Sequence, residues 1–322
     1  IEVDPRVTSP AQVALLARLG FRRISIGVQD VDPVVQRDIK RVQPHELTRS
    51  VVDAARETGF ESINIDLIYG LPHQTERSFA ATVERVLELR PDRLALFHYA
   101  HVPWIKKHQQ AMTLAAMPDA AEKLRIFLRA SKQLREAGFS AIGLDHFARP
   151  EDDLVAARNA GALQRNFMGY TARRGTDLVP LGTSSIGELG GCYVQNAPDE
   201  QEYGRLVDES GLACVRGHRL TADDLLRRDV IHGLMCNGVV RTEELEARHG
   251  VEFDAYFAAE RTELEPLRAD GLVEWRRAPS GASELRLTEL GHLLMRNVAL
   301  VFDSYLRARA ATGYETTYSR TL

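Results

Sequence analysis

One acidic residue, Asp66, stands inside the apolar segment 63–72 and is well placed to bind a polar ligand. The segment is short and rich in Ile and Leu, and Gly70 and Pro72 end it, so a β-strand is favoured over a helix. A carboxylate in apolar surroundings is unfavourable unless it is hydrogen-bonded or paired. Asp66 is therefore expected either to bind a ligand at a barrel strand or, alternatively, to fix a loop or cap a helix.

Strand and helix patterns alternate around this segment. Strands are predicted over 23–30, 62–69, 93–99 and 141–146, and helices over 33–41, 44–58, 76–89 and 118–137. Such alternation builds a parallel sheet, either open or closed into a barrel, with its ligand site at the carboxyl ends of the strands. Polar residues recur at those predicted ends, so we expect one shared site there. Its candidate residues are Glu2, Asp4, Gln29, Asp30, Asp66, Tyr69, those of 98–101, Asp145 and His146.

Length and charge narrow the classes of protein. A chain of 322 residues suggests roughly two domains. The formal charge of −4 provides no general basic field, which argues against nucleic acid as a partner. The apolar runs are too short to span a membrane and no signal segment is recognisable, so a cytoplasmic protein is expected. The absence of Gly-x-Gly-x-x-Gly and Gly-x-x-x-x-Gly-Lys motifs disfavours the corresponding nucleotide chemistry.

The alternation stops after about residue 195, so we expect a barrel domain over 1–195 and a mostly helical domain over 196–322. Three helices and a hairpin in the second domain are typical of a winged helix. Acidic residues on those helices argue against DNA binding. The helices are predicted over 221–236, 242–248 and 253–267, and the hairpin pairs 271–275 with 284–287.

The chain has three cysteines, Cys192, Cys214 and Cys236. An odd number at wide spacing fits neither a disulfide framework nor a local metal-binding loop. We expect all three to be buried free thiols, which pack as small apolar side chains.

Several short segments, taken in order, carry a family resemblance. They are residues 1–5, 25–30, 64–72, 143–150, 165–167, 169–171, 227–231 and, near the end of the sequence, 297–306. Together they resemble the oxygen-independent coproporphyrinogen III oxidases, which are radical S-adenosylmethionine enzymes of haem synthesis. The resemblance extends over the whole chain and implies the C-terminal part of a partial (β/α)6 TIM-like barrel, followed by a winged-helix-like domain.

The resemblance also implies cofactors, a reaction and partners. The cofactors are a [4Fe-4S] cluster, held by a Cys-x-x-x-Cys-x-x-Cys loop, and two molecules of S-adenosylmethionine. The reaction is the oxidative decarboxylation of coproporphyrinogen III to protoporphyrinogen IX. An electron-donating protein such as a flavodoxin or ferredoxin, and a monomeric state, are implied as well.

By the same resemblance, Glu2, Ala100 and Ile186 line the first S-adenosylmethionine. Gln29, Arg41 and Asp66 bind the second. For Arg41 the alternative is a solvated helix end. The carboxylates of coproporphyrinogen require basic residues, and the candidates, each of which could instead be surface charge, are Arg149, Arg165, Arg173 and Arg174.

The chain departs from the family pattern in three ways. It has no Cys-x-x-x-Cys-x-x-Cys motif, and it has too few βα units to close a six-unit barrel. We therefore expect a missing N-terminal segment that carries the cluster cysteines, and a fragment that is inactive alone. Met168 stands where the family pattern has Gln, and it lacks the hydrogen-bonding groups of an amide.

Two other functions remain open at this point. A haem chaperone of the same superfamily would bind haem without oxidising a porphyrinogen, but segment 145–150 favours the oxidase. A metal-free aldolase would need a Schiff-base lysine at a strand end. None of the lysines falls at a predicted strand end.

Overall fold

The computed structural model describes residues 1–173, 175–278 and 281–311. The chain divides into two compact units between Val155 and Ala156. The predicted division at 195/196 thus lies inside the second unit, and as a boundary between domains it stays a prediction.

The first unit is built on a six-stranded sheet with the order β1-β2-β3-β4-β6-β5. Strands β1 to β4 are parallel, as the alternating pattern predicts. Two short 3-10 helices, Lys107–Ala111 and Leu114–Ala116, follow β4. The strands and helices are β1 (Glu2–Val3), α1 (Pro10–Arg18), β2 (Arg23–Gln29), α2 (Pro33–Asp38), α3 (His45–Glu57), β3 (Ser62–Tyr69), α4 (Glu76–Leu87), β4 (Arg93–His98), α5 (Ala120–Glu136), β5 (Ser140–Gly143), β6 (His146–Ala148) and α6 (Asp153–Asn159), which contains the division between the units.

The predicted strand over 141–146 is wrong in form. The segment makes a hairpin instead, in which β6 is antiparallel to both β5 and β4. A turn separates the two strands, and Leu144 has a positive φ of 47°. The residues after Gly143 therefore reverse the chain. As a result β6, and not β5, pairs with β4, whereas continued strand-helix alternation would have placed β5 there as a parallel strand.

The sheet has an apolar face and a polar face, because successive side chains of a strand point to opposite sides. The apolar face packs with α1, α3, α4 and α5 into one core. Its fully buried residues include Ile26, Ile65, Leu67, Leu94 and Leu96. The opposite face, called here the inner face, has a row in which Gly27, Asp66, Ala95 and His146 are register partners across β2, β3, β4 and β6.

The described residues of the second unit form three small antiparallel sheets and several helices. The predicted hairpin is confirmed as β13 and β14, and a third strand, β12, joins it. The predicted helix over 221–236 is confirmed as α8 but ends in a π-helical turn, Gly233–Asn237. The elements are β7 (Gln164–Asn166), β8 (Gly169–Thr171), β9 (Ile186–Leu189), β10 (Cys192–Asn196), α7 (Glu200–Ser210), β11 (Cys214–Arg219), α8 (Ala222–His232), β12 (Val239–Arg241), α9 (Thr242–His249), α10 (Phe253–Tyr256), α11 (Ala258–Ala269), β13 (Val273–Arg277), β14 (Ser283–Leu287), α12 (Glu289–Leu293), α13 (Met295–Leu300) and α14 (Ser304–Ala311).

The three cysteines are free thiols, but only Cys236 is buried. The prediction of burial is wrong for Cys192, which is half-buried, and for Cys214, which is exposed. The reason for Cys214 is its position on β11, an edge strand with all of its residues exposed. Within the described ranges, no helix is both long and apolar enough to cross a membrane.

Candidate functional site on the inner face of the sheet

Asp66 lies in the middle of β3 on the inner face and is only 8% exposed. The Ser25 hydroxyl donates a hydrogen bond to Asp66 Oδ2 at 2.9 Å, and Asn64 Nδ2 donates one to Asp66 Oδ1 at 2.7 Å. Burial raises the pKa of Asp66 to about 6, although both hydrogen bonds act in the opposite direction. The negative charge of Glu2 raises this pKa further. Asp66 is thus a poorly solvated carboxyl group held from two sides.

Arg41 follows α2 and turns back toward the same face of the sheet. Its Nη1 donates to Asp4 Oδ2 at 2.8 Å, and its Nη2 donates to the Gly27 carbonyl oxygen at 2.8 Å. The side chain is 18% exposed, so a solvated helix end does not describe it. Burial lowers the pKa of Arg41, whereas the charge of Asp4 raises it. Arg41 Nε is buried and has no hydrogen-bond partner among the described residues.

Gln29 ends β2 in a left-handed conformation with φ 68°, at an irregularity in the pairing with β3. Its side chain lies over Gly27, beside that of Arg41. A Cβ atom at Gly27 would stand 2.9 Å from Gln29 Nε2 and 3.3 Å from Arg41 Nη2. The missing side chain of Gly27 therefore leaves the space that Gln29 and Arg41 occupy, next to its register partner Asp66.

Four of the six residues assigned to S-adenosylmethionine by resemblance lie together on this face. Gln29, Arg41 and Asp66 meet around Gly27, and the charge of Glu2 acts on the pKa of both Arg41 and Asp66. We call these four residues, Glu2, Gln29, Arg41 and Asp66, the inner-face cluster.

The two remaining residues lie elsewhere along the chain. Ala100 is exposed in the loop after β4, and its carbonyl oxygen accepts a hydrogen bond from Gln109 Nε2 at 3.0 Å. Ile186 begins β9 in the second unit and is 36% exposed. Their assignment to the first S-adenosylmethionine stays a prediction.

Asp30 is a structural residue, contrary to its expected place in the shared site. It is 1% exposed and accepts hydrogen bonds from Gln74 Nε2, Thr82 Oγ1 and the backbone N of Asp32. Burial raises its pKa, and these hydrogen bonds oppose the rise. Asp30 therefore ties the loop after β2 to the loop after β3 and to α4.

Other strand-end candidates have local contacts. The ring of Tyr69 packs against His98 and Phe127, with centroids 5.2 and 5.4 Å away. Asp145 lies in the turn between β5 and β6, where its carbonyl oxygen accepts from the backbone N of Leu96. These residues support the sheet and its turns.

The basic residues predicted to bind substrate differ in their surroundings. The Arg149 guanidinium lies 4.3 Å from the centroid of the Phe139 ring and donates to the Ala137 carbonyl oxygen, which is a packing role. Arg165 is half-buried, 6.0 Å from the Tyr170 ring centroid, and its Nε has no hydrogen-bond partner in the described part of the chain. Arg173 is exposed, and Arg174 lies outside the described residues. Substrate binding by any of them stays a prediction.

Met168 lies in the turn between β7 and β8 and is 78% exposed. Its backbone N donates to Asn166 Oδ1 at 2.8 Å. The side chain at this position in the second unit faces solvent, and so would an amide. The resemblance implies that a Gln here would make a polar contact near the second S-adenosylmethionine, and the loss of that contact in this chain stays a prediction.

The donor and acceptor set of the inner-face cluster fits S-adenosylmethionine. That molecule has a carboxylate for a guanidinium, and an ammonium and ribose hydroxyls for carboxylates and amides. Gln29 Oε1 and Arg41 Nε are buried atoms for which the described residues supply no hydrogen-bond partner. The cluster thus holds an acceptor and a charged donor whose hydrogen bonds the described residues do not satisfy. No group of three or more His, Cys, Asp or Glu side chains suited to a metal ion occurs within the described ranges.

Two family models match the chain. The Radical SAM superfamily matches residues 1–86, and the HemN C-terminal domain matches residues 220–294. The α/β fold is thus that of a radical S-adenosylmethionine protein. Membership of this superfamily implies a [4Fe-4S] cluster and S-adenosylmethionine, as predicted, whereas the number of S-adenosylmethionine molecules stays a prediction.

Individual relatives narrow the class to one family. The chain is 44% identical over 306 residues to the oxygen-independent coproporphyrinogen III oxidase of Pseudomonas aeruginosa, covering 95% of this chain and 65% of that protein. It is 41% identical over 321 residues to the protein of the same name from Thermostichus vulcanus, covering 98% of this chain and 95% of that protein. The chain belongs to the oxygen-independent coproporphyrinogen III oxidase family.

A solved structure agrees with this assignment. The coproporphyrinogen III oxidase of Escherichia coli, described as a radical SAM enzyme, matches with a TM-score of 0.89 and 44% identity. The match covers 95% of this chain and 69% of that one. The predicted family and fold class are confirmed, and the chain spans about two thirds of the length of the Pseudomonas aeruginosa relative.

Three residues of the site escaped the sequence prediction: Ser25, Gly27 and Asn64. A signal for Asn64 was present, because residues two apart on a strand share a face and Asn64 precedes Asp66 by two. Ser25 and Gly27 could be found only through the pairing of β2 with β3.

Proposed function

We propose that the intact protein converts coproporphyrinogen III to protoporphyrinogen IX without oxygen, by radical chemistry with S-adenosylmethionine. The observation that carries the proposal is the agreement of nearly the whole chain with the Escherichia coli enzyme, at a TM-score of 0.89. The relatives named for this activity align with nearly the whole chain, over 306 and 321 residues, and therefore with both units. The chain covers only part of some relatives, so the proposal concerns the intact protein.

In this proposal the inner-face cluster binds S-adenosylmethionine. Arg41 holds the carboxylate of the second molecule through the donors that Asp4 and Gly27 leave available. Asp66 and Gln29 accept hydrogen bonds from its hydroxyl or ammonium groups. Glu2 accepts from the first molecule, with Ala100 and Ile186 packing against its adenosine.

The [4Fe-4S] cluster and S-adenosylmethionine, when bound, would supply the one-electron chemistry that oxidises a propionate side chain. Each propionate loses one hydrogen atom, carbon dioxide and one electron, and a vinyl group remains. The chain has no Cys-x-x-x-Cys-x-x-Cys motif. We therefore propose that the three cluster ligands lie outside these 322 residues. A flavodoxin or ferredoxin as reductant, a monomeric state and a cytoplasmic location complete the proposal.

The test is anaerobic reconstitution of the intact protein with iron and sulfide, followed by incubation with a reductant, S-adenosylmethionine and coproporphyrinogen III. We expect a product with two vinyl groups, detected by chromatography and mass spectrometry after oxidation to the porphyrin. The Asp66→Asn variant tests the site in the same assay, because it should retain the [4Fe-4S] cluster and lose most of the product. Absence of vinyl product together with tight haem binding would contradict the proposal and select a haem chaperone.

A further inference from the structure

Three side chains on the inner face form a closed hydrogen-bonded ring, which we call the Ser-Asn-Asp ring. Asn64 Nδ2 lies 2.9 Å from Ser25 Oγ and 2.7 Å from Asp66 Oδ1. Ser25 Oγ lies 2.9 Å from Asp66 Oδ2 and donates to it. Each oxygen of the Asp66 carboxylate thus accepts a hydrogen bond from a different residue.

The orientation of the Asn64 amide follows from its partners. Its two N–H groups point to Ser25 Oγ and to the Asp66 carboxylate, and both of these are acceptors. The opposite orientation would set the amide oxygen against a carboxylate oxygen. Asn64 Oδ1 is left buried, and it has no hydrogen-bond partner in the described ranges. An unsatisfied buried acceptor is unfavourable, so stability alone does not account for the amide at this position.

The ring has two consequences for Asp66. It prevents the carboxylate from rotating, because Ser25 on β2 holds Oδ2 and Asn64 on β3 holds Oδ1. It also favours the charged form, since both hydrogen bonds lower the pKa that burial and Glu2 raise. A carboxylate held in this way keeps one remaining lone pair on each oxygen for a ligand, which suits the two adjacent hydroxyls of a ribose.

We infer that Asn64 and Ser25 are positioning residues that fix the Asp66 carboxylate, in its charged form, for the vicinal hydroxyls of S-adenosylmethionine. The inference rests on the proposed function of the inner-face cluster and assigns two residues to it. Neither residue needs to touch the ligand. Their effect is transmitted through the direction and the charge of Asp66.

The expected effect of Asn64→Ala has a characteristic dependence on pH. Removing a donor to the carboxylate should raise the pKa of Asp66 above its value of about 6, so that more of it is protonated near neutral pH. A rise of one pKa unit corresponds to a tenfold shift of the protonation equilibrium. For a rise of one unit, we expect binding of S-adenosylmethionine at this site to weaken about twofold at pH 7 and about fivefold at pH 6, and to approach the wild-type affinity above about pH 8.

The experiment uses the intact protein reconstituted anaerobically with its cluster. Binding of S-adenosylmethionine is titrated by calorimetry from about pH 6 to 9 for the wild type and for Asn64→Ala, Ser25→Ala and Asp66→Asn. The matched control is Asn237→Ala in the second unit, whose amide oxygen is also buried without a hydrogen-bond partner among the described residues. The control should leave the affinity and its pH midpoint unchanged.

A double variant separates positioning from packing. Once Asp66 is replaced by Asn, addition of Asn64→Ala should cause no further shift with pH, because the group that titrates is gone. If Asn64→Ala fails to fold, Ser25→Ala removes a single hydroxyl and should still move the pH midpoint upward.

The outcomes distinguish this inference from the proposed function. If Asp66→Asn binds S-adenosylmethionine as the wild type does, the inner-face cluster is not the site and both fail. If Asp66→Asn weakens binding but Asn64→Ala and Ser25→Ala leave the pH midpoint in place, the site stands and the inference is overturned. If Asn64→Ala lowers the affinity equally at every pH, the inference is also overturned, because Asn64 then does not act through the charge of Asp66.

Discussion

Gly27→Ala should separate ligand binding from folding. The added Cβ would lie 2.9 Å from Gln29 Nε2 and 3.3 Å from Arg41 Nη2. Both atoms are ends of flexible side chains, so the backbone need not move. Gly27 has no positive φ, and Ala in a strand costs less chain entropy than Gly. The free energy of unfolding should therefore change by less than about 1 kcal/mol.

The binding site should respond far more strongly. Arg41 Nη2 donates to the Gly27 carbonyl oxygen at 2.8 Å. The methyl group would turn the guanidinium without breaking this hydrogen bond, so that its free donors no longer point at a ligand, and it would displace the Gln29 amide. Hydrogen bonds to charged groups contribute about 1.5–3 kcal/mol. Loss of one from the guanidinium to a ligand carboxylate should weaken binding by roughly 10- to 100-fold.

The assay combines two measurements on the reconstituted intact protein. Calorimetric titration gives the affinity for S-adenosylmethionine, and thermal unfolding gives the stability. Gly204→Ala is the matched control, because no atom lies within 4 Å of its Cβ position. Wild-type affinity in Gly27→Ala would show that its Cβ does not disturb the binding site, and a markedly lower unfolding temperature than that of Gly204→Ala would show that the fold does not accept the methyl group.

Three further predictions concern titratable groups. The pKa of Asp66 is raised from 3.8 to about 6, so its stabilising effect is full below about pH 4 and is lost as the pH rises through 6. Relative to Asp66→Asn, the wild type should lose up to about 3 kcal/mol across this window in urea unfolding, and parallel curves would contradict the assignment. Asp4→Asn should weaken binding of S-adenosylmethionine because it removes an anchor of Arg41; unchanged affinity in calorimetry would show that Arg41 is held without it. Cys214 should react with a thiol reagent in the folded protein, whereas Cys236, whose pKa burial raises to about 12, should react only after unfolding, and mass mapping that finds the reverse order would contradict the burial pattern.

The first unit was largely predictable because its strands are apolar on one face. Ile63, Ile65 and Leu67 alternate with Asn64 and Asp66, which fixes both the strand and the side that carries the acid. The hairpin of β5 and β6 was not predictable, since segment 141–146 has the apolar content of one strand. Its reversal depends on a local turn that hydrophobic periodicity does not report.

The site itself was predictable only in part. The difference between Asp30 and Asp66 shows why, because both are acids beside apolar strand residues, Asp30 directly after β2 and Asp66 within β3. Asp30 is bound by Gln74 and Thr82, which come from a distant loop and helix. Asp66 is held by Ser25 and its own neighbour Asn64. Asn64 could be found from its spacing to Asp66, but Ser25, Gln74 and Thr82 depend on strand register and packing between elements, which single-sequence patterns leave open.

Binding of S-adenosylmethionine on the inner face is tested most directly by an anaerobic crystal structure of the intact protein, reconstituted with its [4Fe-4S] cluster and soaked with S-adenosylmethionine. We predict a molecule of S-adenosylmethionine on the inner face, with its polar groups bonded to Arg41 and to both oxygens of Asp66. If the inner-face cluster holds only water while S-adenosylmethionine binds elsewhere in the protein, these four residues are not its binding site.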